Sequence, residues 1–170
     1  MKILITGTDG LAKSLAECYQ SHQVDCVSRS TGHDIKNIDT WGHVFLGYDI
    51  VFNCAYEYHG QVAVLEFFYK NWKNDPTKTI VSVGSRIISY PGLDNNNDYF
   101  PYKISKISLQ LTHDQMLINA DCRLLIVNPG PFDTAMVAHH DCVKFSPDQL
   151  AKKIVWFVED SSIKRVDLWL

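Results

Sequence analysis

Residues 2–13 read KILITGTDGLAK. KILIT is a short apolar, β-rich run, the pattern of a buried strand. Leu11 to Ser21 then carries Leu11, Leu15, Cys18 and Tyr19 on one face, which predicts a helix. Gly7, Thr8, Asp9 and Gly10 lie between the two. A strand that turns through glycines straight into a helix opens a βαβ unit. In a parallel sheet that turn faces a crevice at the carboxyl ends of the strands. Glycine permits close backbone approach there, and the helix N-terminus, from Leu11 onward, offers unpaired N–H groups to a pyrophosphate. Two glycines also serve any tight turn, so the rest of the chain must decide.

The alternation continues. Strands are predicted at 24–28, 49–55, 79–85, 123–128 and 165–170, and helices at 61–72, 101–119 and 147–158. Asn74-Asp75-Pro76 ends one helix, and Pro101 and Pro147 suit first helical positions. A brief strand is expected near His33–Ile35 and a helical turn near Trp41. Nearly continuous apolar strands imply a sheet covered on both faces, hence parallel. The expected fold is therefore α/β, one Rossmann-like doubly wound parallel sheet with helices on both faces, in a single domain over 1–170.

The bulk numbers exclude some functions. The formal net charge is -3, and Arg29, Arg86, Arg123 and Arg165 are scattered, so neither nucleic acid nor an anionic membrane is an expected partner. Five cysteines without a C-x-x-C pair argue for a reducing compartment. No apolar stretch approaches the length of a membrane span, and Asp9 comes too soon for a signal peptide. A complete, cytoplasmic chain is expected. His139-His140-Asp141-Cys142 collects four ligand types, but adjacent residues on an extended chain point opposite ways and no second cluster completes a shell. No metal is expected.

Three tyrosines stand four residues before a lysine: Tyr69 and Lys73, Tyr99 and Lys103, Tyr102 and Lys106. The spacing alone fits an ordinary surface pair. Tyr99 lies outside its helix, ahead of Pro101, and Tyr69 and Lys73 close a helix leading away from the crevice. Tyr102 and Lys106 share a helix face and follow a strand that ends in Ser85.

In order along the chain these pieces resemble the short-chain dehydrogenases/reductases, in a truncated or atypical form. Thr6-Gly7-x-x-Gly10 looks like that family's Thr-Gly turn. Asp34-Ile35 is similar to its adenine-holding pair, and Asn53-Cys54-Ala55 stands where it has Asn-Asn-Ala-Gly. Ser85, then Tyr102-x-x-Ser105-Lys106, match its active-site serine and tyrosine–lysine pair. Pro129-Gly130-Pro131-Phe132-x-Thr134 looks like its Pro-Gly-x-x-x-Thr segment around the nicotinamide. The resemblance implies catalytic Ser85, Tyr102 and Lys106. It also implies a dinucleotide held by Gly7–Leu11, Asp34, Ile35, Asn53, Cys54, Ala55, Tyr102, Lys106, Pro129, Gly130, Phe132 and Thr134. Tyr102 would pass a proton to or from the oxygen of a small carbonyl or alcohol substrate, Ser85 would hydrogen-bond that oxygen, and Lys106 would hold ribose hydroxyls.

A free tyrosine titrates near 10, so bringing it to neutrality takes roughly 4 kcal/mol. An ammonium roughly 4–5 Å away supplies about that much at an effective dielectric near 20. The second strand ends in Ser28-Arg29-Ser30, whose guanidinium and hydroxyls suit a 2′-phosphate. NADP is the expected cofactor, with NAD possible. Lys13 stands where the family has a third glycine, the segment after Thr134 is short, and His59 and Gln61 are the nearest counterparts of the asparagine that completes a tetrad. A non-catalytic cofactor sensor or partner-binding module, and a miniature nucleotide-sugar epimerase, are the alternatives. The family pairs through the helices that correspond to 61–73 and 101–119, and Phe67, Phe68, Ile107 and Leu111 make a dimer or tetramer the expectation.

Overall fold

The computed structural model describes residues 1–90, 100–132 and 143–169. Its six strands are β1 (Lys2–Thr6), β2 (Gln23–Val27), β3 (Ile50–Asn53), β4 (Thr79–Val83), β5 (Arg123–Pro129) and β6 (Arg165–Leu168). They form one parallel sheet in the order β2-β1-β3-β4-β5-β6. The helices are α1 (Leu11–Cys18), α2 (Ile38–Trp41), α3 (Gly60–Trp72), α4 (Phe100–Met116) and α5 (Pro147–Glu159).

Successive strand residues point to opposite faces of the sheet, so two cores form from the same strands. Ile3, Ile5, Phe52, Val81, Leu125 and Val127 pack under α1 and α5 with Leu15, Leu150 and Ile154. Leu4, Val51, Ile80, Leu124 and Ile126 pack under α2, α3 and α4 with Trp41, Leu65, Phe68 and Leu109. The chain changes face on either side of β1, whose Thr6 is paired with Val27 of β2 and Asn53 of β3. That switch point opens the crevice in which such sheets bind ligands.

Local signals explain the helix ends. Ser146 caps α5: its Oγ accepts from Gln149 N at 3.1 Å, and Ser146 N donates to Gln149 Oε1 at 3.0 Å, with Pro147 in the first turn. The stretch expected to hold a strand near His33–Ile35 forms 3-10 turns instead, at Arg29–Thr31 and Ile35–Asn37. Gly32 at φ 83 and the Asp34 side chain, which accepts from Lys36 N at 3.0 Å, bend the backbone too sharply for a ladder. β2 is therefore the sheet's edge, and Ile35 of the second turn and Ile38 and Trp41 of α2, where a helical turn was expected, cover the sheet there.

Candidate active site

Thr6 ties the crevice together. It is fully buried, and its Oγ1 accepts from Cys54 N at 2.9 Å and Ala55 N at 3.0 Å while donating to Phe52 O at 3.4 Å. The end of β1 is thus pinned to the exit of β3. Gly7 follows at φ 109, a left-handed conformation that favours glycine, and a Cβ there would lie 3.1 Å from Ala12 Cβ. Lys13 is exposed. Close packing of α1 on the turn falls to Ala12, so the lysine in place of a third glycine obstructs nothing. No side chain caps α1 at Gly10, whose position faces open space. Ala12 N donates to Asp9 O at 3.1 Å, and no side chain at the cap competes with a ligand for the other N–H groups of the first turn.

Beside this turn lies a cavity of about 440 Å³. Of the expected cofactor contacts, Gly7, Thr8, Asp9, Gly10 and Leu11 line it from the turn. Ser28, Arg29, Asp34 and Ile35 line it from the β2 side, Cys54 and Ala55 from the β3 exit, and Phe132 from beyond β5. Others are placed elsewhere. Ser30 is exposed and shares a 2.7 Å hydrogen bond with Ser28. Asn53 is buried, and its Nδ2 donates to Gln61 O at 2.7 Å. Pro129 is buried at the end of β5, and Gly130 N donates to Leu168 O at 3.0 Å. Thr134 and the His139–Cys142 cluster lie outside the described residues.

Ser85, Tyr102 and Lys106 converge at the end of β4. Ser85 leaves the strand in extended conformation, caps the 3-10 turn Arg86–Ser89 and hydrogen-bonds the Tyr102 side chain. Lys106, one turn beyond Tyr102 on α4, is only 4% exposed. Its Nζ donates to Gln61 Oε1 at 2.6 Å and Val83 O at 2.9 Å. It also lies 5.3 Å from the Tyr102 ring centroid and 5.7 Å from that of Tyr56. Tyr56 itself meets Tyr102 edge to face at 4.9 Å, so the ammonium sits under two rings. Ser105 turns inward and donates to Tyr102 O at 2.8 Å.

The electrostatics invert the expectation. Burial pushes the Tyr102 phenol up, and the Ser85 bond offsets only part of that. Lys106 Nζ, 5.3 Å from the ring centroid, does not draw the phenol toward neutrality. Burial instead pulls the Lys106 ammonium down to about 7. Tyr102 is accordingly a protonated phenol at neutral pH.

Two residues escaped the sequence reading, and a third was understated by it. Tyr56 lines the cavity and roofs Lys106. Glu57, also on the cavity wall, pairs with Arg29 and Lys36. Gln61 does more than its candidacy for a tetrad suggested: its Nε2 donates to Asn53 O at 2.9 Å and Val83 O at 3.1 Å, bridging β3 and β4 while its Oε1 holds Lys106. These pairings join residues far apart in the chain, so no local spacing announces them.

No protein-family model matches the sequence, and no curated protein matches it. Solved structures do. A short-chain dehydrogenase from Burkholderia cenocepacia J2315 in complex with NADP is 15% identical, with a TM-score of 0.79 over 100% of this chain and 90% of that one. The alcohol dehydrogenase of the archaeon Thermococcus sibiricus, complexed with 5-hydroxy-NADP, is 15% identical, with a TM-score of 0.77 over 100% of this chain and 96% of that one. The fold is that of the short-chain dehydrogenases/reductases. A third structure with this short-chain dehydrogenase fold, the 3-alpha-hydroxysteroid dehydrogenase of Pseudomonas sp. B-0831 complexed with NADH, is 16% identical, with a TM-score of 0.73 over 98% of this chain and 95% of that one.

Proposed function

We propose that the protein is an NADP-dependent oxidoreductase, able to use NAD, that interconverts a small carbonyl and its alcohol. The observation that carries this reading is the meeting of Ser85, Tyr102 and Lys106 beside the glycine-turn cavity. The residues present fit the adenosine and pyrophosphate half of a dinucleotide: Gly7 and Gly10 clear the backbone, the α1 N-terminus is uncapped, and Arg29 stands at the lip. A bound nicotinamide would supply the hydride chemistry. Tyr102, held protonated by burial, donates its proton to a substrate carbonyl oxygen, and Ser85 hydrogen-bonds the same oxygen. Lys106 would hold ribose hydroxyls, and the ring of Tyr56 roofs it.

That roof supports a second reading, a dinucleotide sensor without turnover, because Lys106 is 4% exposed beneath Tyr56. Titration with NADPH and NADH, followed by turnover on a panel of aldehydes and ketones, separates the two. For the enzyme, Tyr102→Phe abolishes turnover and leaves nucleotide binding nearly intact. Tight NADPH binding with no turnover anywhere on the panel selects the sensor, and undiminished activity of Tyr102→Phe removes the mechanism.

We place the protein in a reducing compartment, the cytoplasm, since Cys18, Cys26, Cys54 and Cys122 are free thiols. Among the described residues no helix is long and apolar enough to cross a membrane. Self-association through α4 is part of the proposal, because Phe100, Ile104, Leu111 and Ile118 are exposed along and just beyond it. Helix α3 contributes less than its composition suggests. Phe67 and Phe68 are 6% and 0% exposed, spent on the protein's own core.

A further inference from the structure

The lip of the cavity carries a carboxylate where a cofactor phosphate would be received. Glu57 Oε2 lies 3.2 Å from Arg29 Nη1, and Glu57 Oε1 lies 3.1 Å from Lys36 Nζ. Each oxygen takes one cation. The carboxylate is the inner member: its side chain is 17% exposed, against 70% for Arg29 and 51% for Lys36. The backbone is built to deliver it. Gly60 N donates to Glu57 O at 2.7 Å, closing a tight turn, and Tyr58 within that turn is held at φ 40. A Cβ on Gly60 would lie 2.6 Å from Ile35 Cγ1, so the glycine lets this turn seat against the segment that carries Lys36.

Resting on the cofactor reading above, we propose that Glu57 is a specificity-determining residue. Its carboxylate occupies the anion position between Arg29 and Lys36 and so narrows the preference for NADP(H) over NAD(H). A 2′-phosphate must displace Glu57 from both cations and then lie beside its displaced charge. A ribose 2′-hydroxyl has no such conflict, since it can donate to the carboxylate in place. Asp34, also on the cavity wall, accepts from Lys36 N through Oδ1, whereas the ion pairs of Arg29 and Lys36 run to Glu57. Arg29 alone would favour the phosphate; Arg29 with Glu57 admits either nucleotide.

The test is direct titration of the whole chain with NADPH and with NADH at one fixed ionic strength, for wild type, Glu57→Gln and Glu57→Ala. Both variants should bind NADPH about tenfold more tightly. NADH affinity should stay within about twofold or weaken. Using two replacements, one that keeps the side-chain volume and one that removes it, guards against a local packing effect. If both nucleotides bind but their affinity ratio is the same in all three proteins, the role of Glu57 is overturned while the cofactor reading stands. A gain shared equally by NADPH and NADH overturns it as well. If neither nucleotide binds any of the three, the cofactor reading itself is wrong and the inference goes with it.

Discussion

Replacing Lys106 by Met removes one ammonium from a site with no room for solvent. In the folded protein burial draws that group from 10.5 to about 7, while in the unfolded chain it returns to its ordinary value. The sign follows from proton binding. Between pH 7 and 10.5 the unfolded chain holds a proton on Lys106 that the folded chain gives up, so stability rises with pH. Below 7 both states are protonated and the penalty for burying the charge is felt in full. At about 1.4 kcal/mol per pH unit, wild-type stability should rise by roughly 2–3 kcal/mol from pH 6 to pH 9 on this account. Raised thiol values at Cys54 and Cys122, about 12 and about 11, work the other way above pH 8. They are present in both proteins, and the difference between wild type and Lys106→Met largely cancels them. The assay is urea unfolding, followed by far-UV circular dichroism, at pH 6, 7, 8 and 9. The two stability curves should converge or cross with rising pH, the variant lacking the slope. Parallel curves would refute the reasoning. They would mean that the rings of Tyr56 and Tyr102, with Gln61 and Val83, keep the ammonium charged throughout.

Gly84→Ala should destabilise the fold by about 3 kcal/mol or more, read by the same unfolding assay. Its Cβ would lie 1.9 Å from Asn128 Oδ1, and Asn128 cannot swing away because its Nδ2 is held by Gln110 at 2.8 Å and Asp167 at 2.9 Å. Thr6→Val keeps the shape but leaves the Cys54 and Ala55 N–H groups without their acceptor. A loss of about 2–4 kcal/mol is expected, together with weaker nucleotide binding in titration. Leu111→Glu, on the exposed stripe of α4, should keep the folded far-UV circular dichroism spectrum and shift light-scattering mass to the monomer.

The architecture was legible because it rests on local pattern. Apolar runs such as KILIT, RLLIVN and TIVSV predict strands buried on both faces, and the structure pairs them in parallel. Pro147 marked the start of α5 to the residue. The exception is the stretch near His33–Ile35, where Gly32 and an aspartate bonded to the Lys36 backbone overrode a weak strand signal, while the helical turn expected near Trp41 formed as α2.

By itself the sequence determined the alternation of strands and helices, the glycine turn that opens the first helix, and the helix face that puts Lys106 one turn beyond Tyr102. Each depends on residues a few positions apart, where spacing and chirality leave little choice. Only the tertiary structure decided how those residues are used. Parallel pairing brought Gln61 and Val83 onto Lys106, the β3 exit loop laid Tyr56 over it, and the same loop set Glu57 between Arg29 and Lys36. Charge and burial at those points belong to groups that chain folding, not sequence proximity, makes neighbours, and it is burial that moves the depressed ionisation from the phenol to the amine.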